Sequence, residues 1–211
     1  MDFEIRERDG GLRQETIGLR DRIGYELSAA VDHVDLCKGC GDFLRYVGSY
    51  ILDGAVISQG ETIAYGYWLT KVDFDGEGGL MFLEYNPEAT EFVFGVSNSV
   101  RYWLDQHDVC GKVGANFDPI RPDRLVVVSD GVYQGESIQG VRYPSPHHMS
   151  GWWLTTESYN GDINTLKKVH AYHVSAARPD LAKYFALPFG YRFHSLNSAV
   201  WFDEKVTNEA P

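Results

Sequence analysis

The apolar positions change period along this chain, and each change predicts a change of element. From Leu12 to Val34 the apolar residues Leu12, Ile17, Leu19, Ile23, Leu27, Ala30, Val31 and Val34 fall mostly three or four apart, which predicts a helix. Gly18 and Gly24 weaken it and divide it in two. From Phe43 onward the pattern reads as strand. Leu44 to Ile57, Thr62 to Phe74 and Leu80 to Tyr85 are rich in Tyr, Val, Ile, Phe and Trp, and turn residues at Gln59-Gly60 and Asp75 to Gly79 separate them. That predicts an antiparallel meander of hairpins. Asn86-Pro87 ends its third strand, and Phe92 to Phe94 is a short further one. Ser97-Asn98-Ser99 can cap a helix running through Gln106. The charged residues 1–12, with Gly10-Gly11, predict a loose arm or an edge strand.

Phe117 to Asp123 holds two prolines and two aspartates, the composition of a stiff linker. It sets the expected boundary between a domain at 1–118 and another at 119–211. In the second, Leu125 to Val128 and Gly151 to Thr155 predict strands, Asp162 a cap for Asn164 to Val169, and Tyr172 to Val174 a short strand. Pro179 opens a helix over Asp180 to Ala186, and Tyr191 to Phe193 and Ala199 to Phe202 close the domain as strands. The expected class is α+β: an antiparallel-sheet N-terminal domain with flanking helices, followed by a small α+β domain.

Charge sharpens this division. The formal charge is −11, and residues 1–118 hold 21 Asp and Glu against 10 Lys and Arg, whereas residues 119–211 hold 9 of each. The first half therefore repels nucleic acid and attracts basic partners. Asp73, Asp75 and Glu77 at an expected hairpin tip, followed by Glu84, Glu88 and Glu91, are the candidate contacts. Trp152-Trp153 places two large aromatics side by side; if strand alternation buries one, it turns the other outward, and Trp153 is the candidate interface anchor.

No apolar run approaches the roughly 18 residues that a membrane span requires, and the charged start Met1 to Glu7 lacks a signal-peptide core. The expected compartment is the cytoplasm, with no membrane partner. Three cysteines do not make a disulfide framework. Cys37-x-x-Cys40-Gly41 and His107-x-x-Cys110-Gly111 read as two knuckles, and together they would supply a structural Cys₃His zinc site; packed thiols are the alternative. No cofactor is otherwise required. His147, His148, His170 and His173 offer imidazoles, but on a strand positions 170 and 173 point to opposite faces, which disfavours a shared ion. Ser129, Ser150 and Cys110 sit in no nucleophile-elbow pattern.

Three pieces carry a family resemblance, in this order: Val127-Val128-Ser129-Asp130 with a following Gly135; Ser150-Gly151-Trp152; and Tyr172-His173 leading to Arg178-Pro179-Asp180 and Leu187-Pro188-Phe189-Gly190-Tyr191-Arg192-Phe193. Over residues 124–203 the chain resembles immunity protein family thirty-three, small bacterial domains found beside secreted toxins in polymorphic-toxin and type VI secretion loci. The resemblance implies an inhibitor that binds a cognate antibacterial toxin, and it supplies no catalytic residues. Many such toxins are nucleases with basic clefts, which suits the acidic first half. A small metal-dependent hydrolytic enzyme built on the histidines and a zinc-stabilised adaptor are the competing readings.

Overall fold

The computed structural model describes residues 3–208, so Met1 and Asp2 of the expected arm lie outside the described residues. The chain is mixed α+β and forms two compact units, Met1–Asn86 with Thr90–Leu104, and Pro87–Ala89 with Asp105–Pro211. The expected boundary lay in the 117–123 segment; the units divide instead between Leu104 and Asp105.

The first unit holds β1 (Glu4–Arg8), β2 (Arg13–Ile17), the single turn α1 (Arg20–Ile23), β3 (Leu27–Ala30), α2 (Cys37–Leu52), β4 (Thr62–Tyr65), β5 (Trp68–Phe74), β6 (Leu80–Tyr85), β7 (Phe92–Phe94) and the first half of α3 (Ser97–Lys112). Its sheet has the order β1-β2-β3-β6-β5-β4, with β7 also paired to β6. Only the β3–β6 pair is parallel. β1 is the edge strand that residues 1–12 allowed.

Two sequence expectations fail here for physical reasons. The helix expected over 12–34 is β2, α1 and β3. Gly18 and Gly24 take left-handed dihedrals (φ 90° and 92°) that stop a helix. Glu26 then collects the turn: its carboxylate accepts from the N–H groups of Gly18, Leu19 and Arg20 and from the Thr16 hydroxyl. The strand expected over 44–57 is the helix α2. Its Tyr and β-branched residues read as strand, but Cys40, Phe43, Leu44, Val47 and Ile51 recur at helical spacing and are all buried. Phe43 packs edge-on against Tyr65 and Phe82 at 5.1 and 4.9 Å between ring centres. A fully buried side chain of this kind contributes about 1.5–3 kcal/mol, which outweighs strand propensity.

The second unit holds the rest of α3, β8 (Leu125–Val128), β9 (Ile138–Arg142), β10 (Met149–Thr156), β11 (Lys167–His170), α4 (Ala171–Ala177), β12 (Tyr191–His194), β13 (Ala199–Phe202) and α5 (Glu204–Asn208). Its sheet runs β11-β8-β10-β9-β12-β13, with β8–β10 the one parallel pair. Trp152, Leu154 and Phe193 form its core with Leu181, Tyr184 and Phe185 of the 3-10 segment Pro179–Tyr184 and its end. The Phe117 to Asp123 segment is packed rather than a free linker: Ile120 is buried, and the Asp118 and Ile120 amides donate to Ala186 and Phe185. Tyr172 to Val174 lies in α4, not in a strand. Asp162 caps as expected, but only the short turn Ile163–Thr165, and β11 follows it.

Candidate functional site

In the first unit the β5–β6 hairpin carries the acidic tip. Asp75 is exposed and folds the tip by accepting from the Glu77 and Gly79 amides, which leaves Glu77 exposed beside it. Asp73 is half-buried, and its carboxyl is held below the usual range by the Gln59 side-chain amide, 2.7 Å away, and by the Phe74 amide. Asp75 and Glu77 form one wall of a groove of about 550 Å³; Arg8 and Arg13 line it too, over a floor that includes Met81 and Phe94. The Arg13 guanidinium stands 5.6 Å from the Phe94 ring centre. The groove thus presents acids, cations and an aromatic within one concavity. Sequence reasoning missed the cations because they come from β1 and β2, remote in sequence from the tip.

Glu84 is a correction to the acidic contact set. It is 2% exposed, and it caps α3: it accepts from the Asn98 and Ser99 amides at 2.7 Å each and from the Ser99 hydroxyl at 2.9 Å. A partner cannot reach it. Burial pushes its carboxyl up to about 7, against the opposing effect of those three donors. Glu88 and Glu91 are exposed.

The four zinc candidates divide two and two between the units. Cys37 and Cys40 lie in the first turn of α2, and His107 and Cys110 lie inside α3, so neither motif is a turn. Cys40 is fully buried, with its thiol pushed up to about 12 by burial and then by Cys37. Cys110 donates to the Ala186 carbonyl, and His107 stacks on Phe117 at 3.9 Å. Among the described residues no three His, Cys, Asp or Glu gather to hold a metal. His170 and His173 do come near each other, with ring centres 5.9 Å apart, because the helix α4 replaces the expected strand.

In the second unit the pieces of the resemblance converge on structure. Gly151 has φ 83°, and a Cβ there would lie 2.2 Å from the Tyr143 carbonyl; it forms the bulge that shifts the β8–β10 register between Met149 and Trp153. The Ser150 hydroxyl donates to the Leu125 carbonyl and accepts from the Trp152 amide. Arg142, 4% exposed, ties the bulge to two other segments. Its Nε donates to the Ser150 carbonyl at 3.1 Å, and its Nη1 to the carbonyls of Asp118 and Leu187, with Asp118 Oδ2 at 3.2 Å. Phe189 lies 4.7 Å under the guanidinium. Burial lowers its proton affinity to a pKa of about 10, which leaves it charged at neutral pH. Arg178 grips both oxygens of Asp180 at 2.9 Å and donates to the Val132 and Glu136 carbonyls. The Ser129 hydroxyl accepts from the Thr156 amide.

Residues 105–203 match the Imm33-like domain. The match starts at Asp105, where the main stretch of the second unit starts, and covers just under half the chain. No curated protein and no solved structure matches the chain. Within the Imm33-like segment the motif residues Ser150, Gly151, Arg178 and Asp180 are scaffold, while Arg192 and the buried Val127 belong to the sheet face opposite Trp152. One cross-strand row there runs Lys168, Val127, Trp153, Val141, Arg192, Trp201. Trp152 is fully buried and Trp153, on the opposite face, is half-buried against Tyr143. Arg192 pairs with Asp203 at 2.9 Å.

Proposed function

We propose that this chain is an immunity protein that binds and neutralises a protein toxin, rather than an enzyme. The match of residues 105–203 to the Imm33-like domain carries the reading. The toxin surface we assign to it is basic, of the kind found at a nuclease cleft, in an effector delivered between bacteria by a type VI secretion system. The support is electrostatic. The first unit holds 17 Asp and Glu against 9 Lys and Arg, and Asp75 and Glu77 stand exposed on the wall of a groove. Basic side chains entering that groove meet both carboxylates, with Phe94 to stack on. Asp73, Glu88 and Glu91 add to the field that steers the encounter, and Trp153 is the proposed anchor on the Imm33-like segment. No described helix is long and apolar enough to cross a membrane.

The test is co-purification of this chain with the product of the neighbouring toxin gene, and rescue of toxin-expressing cells. Without a complex and without rescue, the immunity reading fails. The charge reading is separate. The pair Asp75→Lys and Glu77→Lys should slow association on the order of tenfold and flatten its salt dependence. A complex that forms at the same rate with this variant, at low and at high salt, would place the contact elsewhere.

A further inference from the structure

The geometry points to a homodimer built by antiparallel pairing of β13 with β13 of a second copy. The two sheets present five strands paired on one side only: β1, β4, β11, β13 and the three-residue β7. An open sheet edge is a template for another strand, and proteins commonly blunt it with charge or keep it short. β1 carries Glu4, Arg6, Glu7 and Arg8, and β11 carries Lys167 and Lys168. β4 exposes only Thr62 and Ala64. β13 is Ala-Val-Trp-Phe, uncharged, with Trp201 43% and Phe202 53% exposed.

The register says which main-chain groups are free. The Asp203 amide donates to the Gly190 carbonyl, and the β12–β13 pairs are Arg192 with Trp201 and His194 with Ala199. Hydrogen-bonded pairs alternate along an antiparallel ladder. The N–H and C=O groups of Trp201 and the N–H of Asp203 therefore face β12, and the N–H and C=O groups of Val200 and Phe202 face outward. The β9 side agrees: the Ser195 amide donates to Ile138, so Phe193 faces β9 and Arg192 and His194 face β13. Among the described residues no hydrogen bond reaches Val200 or Phe202 from the outer side.

The occupant is a second copy because this edge is complementary to itself. Antiparallel pairing centred on Trp201 sets Val200 against Phe202 of the second copy, and Phe202 against its Val200. All four outward-facing groups of each strand are then satisfied. Trp201 meets Trp201 of the second copy in the close, non-hydrogen-bonded position, where cross-strand aromatic pairs interact best. Asp203 falls opposite Ala199 and Glu204 opposite Ser198, so no like charges oppose. The row from Lys168 to Trp201 then continues into the second copy. A two-fold axis of this kind gives a closed dimer. A basic toxin, by contrast, gains nothing from an uncharged edge.

Sedimentation equilibrium of the purified full chain tests this. The expected mass is twice the 23.8 kDa of one chain, falling to one chain on dilution, with Trp fluorescence shifting to the red. Each chain carries −11, so salt screens repulsion and tightens the dimer. Trp201→Lys, which sets two ammonium groups across the axis, and Val200→Pro, which removes an outward N–H that β12 does not use, should each give a monomer with unchanged circular dichroism. If one of them misfolds, the other and the salt series remain. A wild-type chain that stays monomeric, a dimer that survives the folded variants, or one that salt dissociates would overturn the proposal.

Discussion

Replacing Arg142 by Met removes a guanidinium that holds three carbonyls while roughly keeping the side-chain length. Hydrogen bonds from a charged group contribute about 1.5–3 kcal/mol each, net of desolvation. The Asp118 carbonyl belongs to a residue whose side chain is half exposed, so water can replace the arginine there, and the ion pair to that side chain is discounted for the same reason. Ser150 and Leu187 are buried, so their carbonyls stay dry and unpaired. Two such losses give about 3–6 kcal/mol. For a unit of this size that lowers the melting temperature on the order of 10–20 °C. Urea and thermal denaturation, followed by the near-ultraviolet signal of Trp152 and Trp153, measure it. Arg142→Lys should fall between the two, since an ammonium cannot span the same fork of acceptors. If Arg142→Met stays within about 1 kcal/mol of the parent, the size of an ordinary surface effect, the guanidinium is not what joins these segments.

Glu84 makes stability depend on pH. Its folded proton affinity lies near 7, against 4.5 for an ordinary glutamate, so between those values the folded chain holds a proton that the unfolded chain has released. The stabilisation is complete below about 4.5 and is lost as pH rises through about 7; the difference amounts to roughly 3 kcal/mol. Denaturation at pH 5, 6, 7 and 8 should show that decline in the parent and a flatter profile in Glu84→Gln; parallel profiles would refute it. Gly151→Ala forces a Cβ against the Tyr143 carbonyl in a left-handed backbone, and should destabilise by about 2–4 kcal/mol in equilibrium unfolding. Thiol titration of the native chain should modify Cys37 first, because it is partly exposed whereas Cys40 and Cys110 are buried; equal rates for all three would contradict the packing.

The second unit was the more legible in the sequence. Leu125 to Val128, Tyr191 to Phe193 and Ala199 to Phe202 read as strands because short apolar runs sit between strong turn residues, and such punctuation is local. The first unit hid its helix, since Tyr46, Val47, Tyr50 and Ile51 favour strands until Phe43 and Leu44 find a sheet to pack on. It also hid β2 and β3, whose turn depends on Glu26 reaching back to Gly18. The acidic tip at Asp75 and Glu77 was legible because charge needs no partner to be seen. Glu84 was not: its burial follows from its place on β6 opposite the start of α3, a contact made only in the fold. Arg142 gave no signal at all, because an arginine among apolar residues in sequence reads as surface.

Arg142 gathers main-chain carbonyls from Asp118, Ser150 and Leu187, so what it recognises is the path of the backbone rather than any particular side chain. Exposed residues on the opposite face of the sheet can change without disturbing that recognition. The Ser150-Gly151-Trp152 and Leu187 to Gly190 runs accordingly act as a frame whose shape is set through main-chain groups. The cross-strand row of Lys168, Trp153 and Arg192 can thus be re-sequenced on an unchanged Arg142 frame.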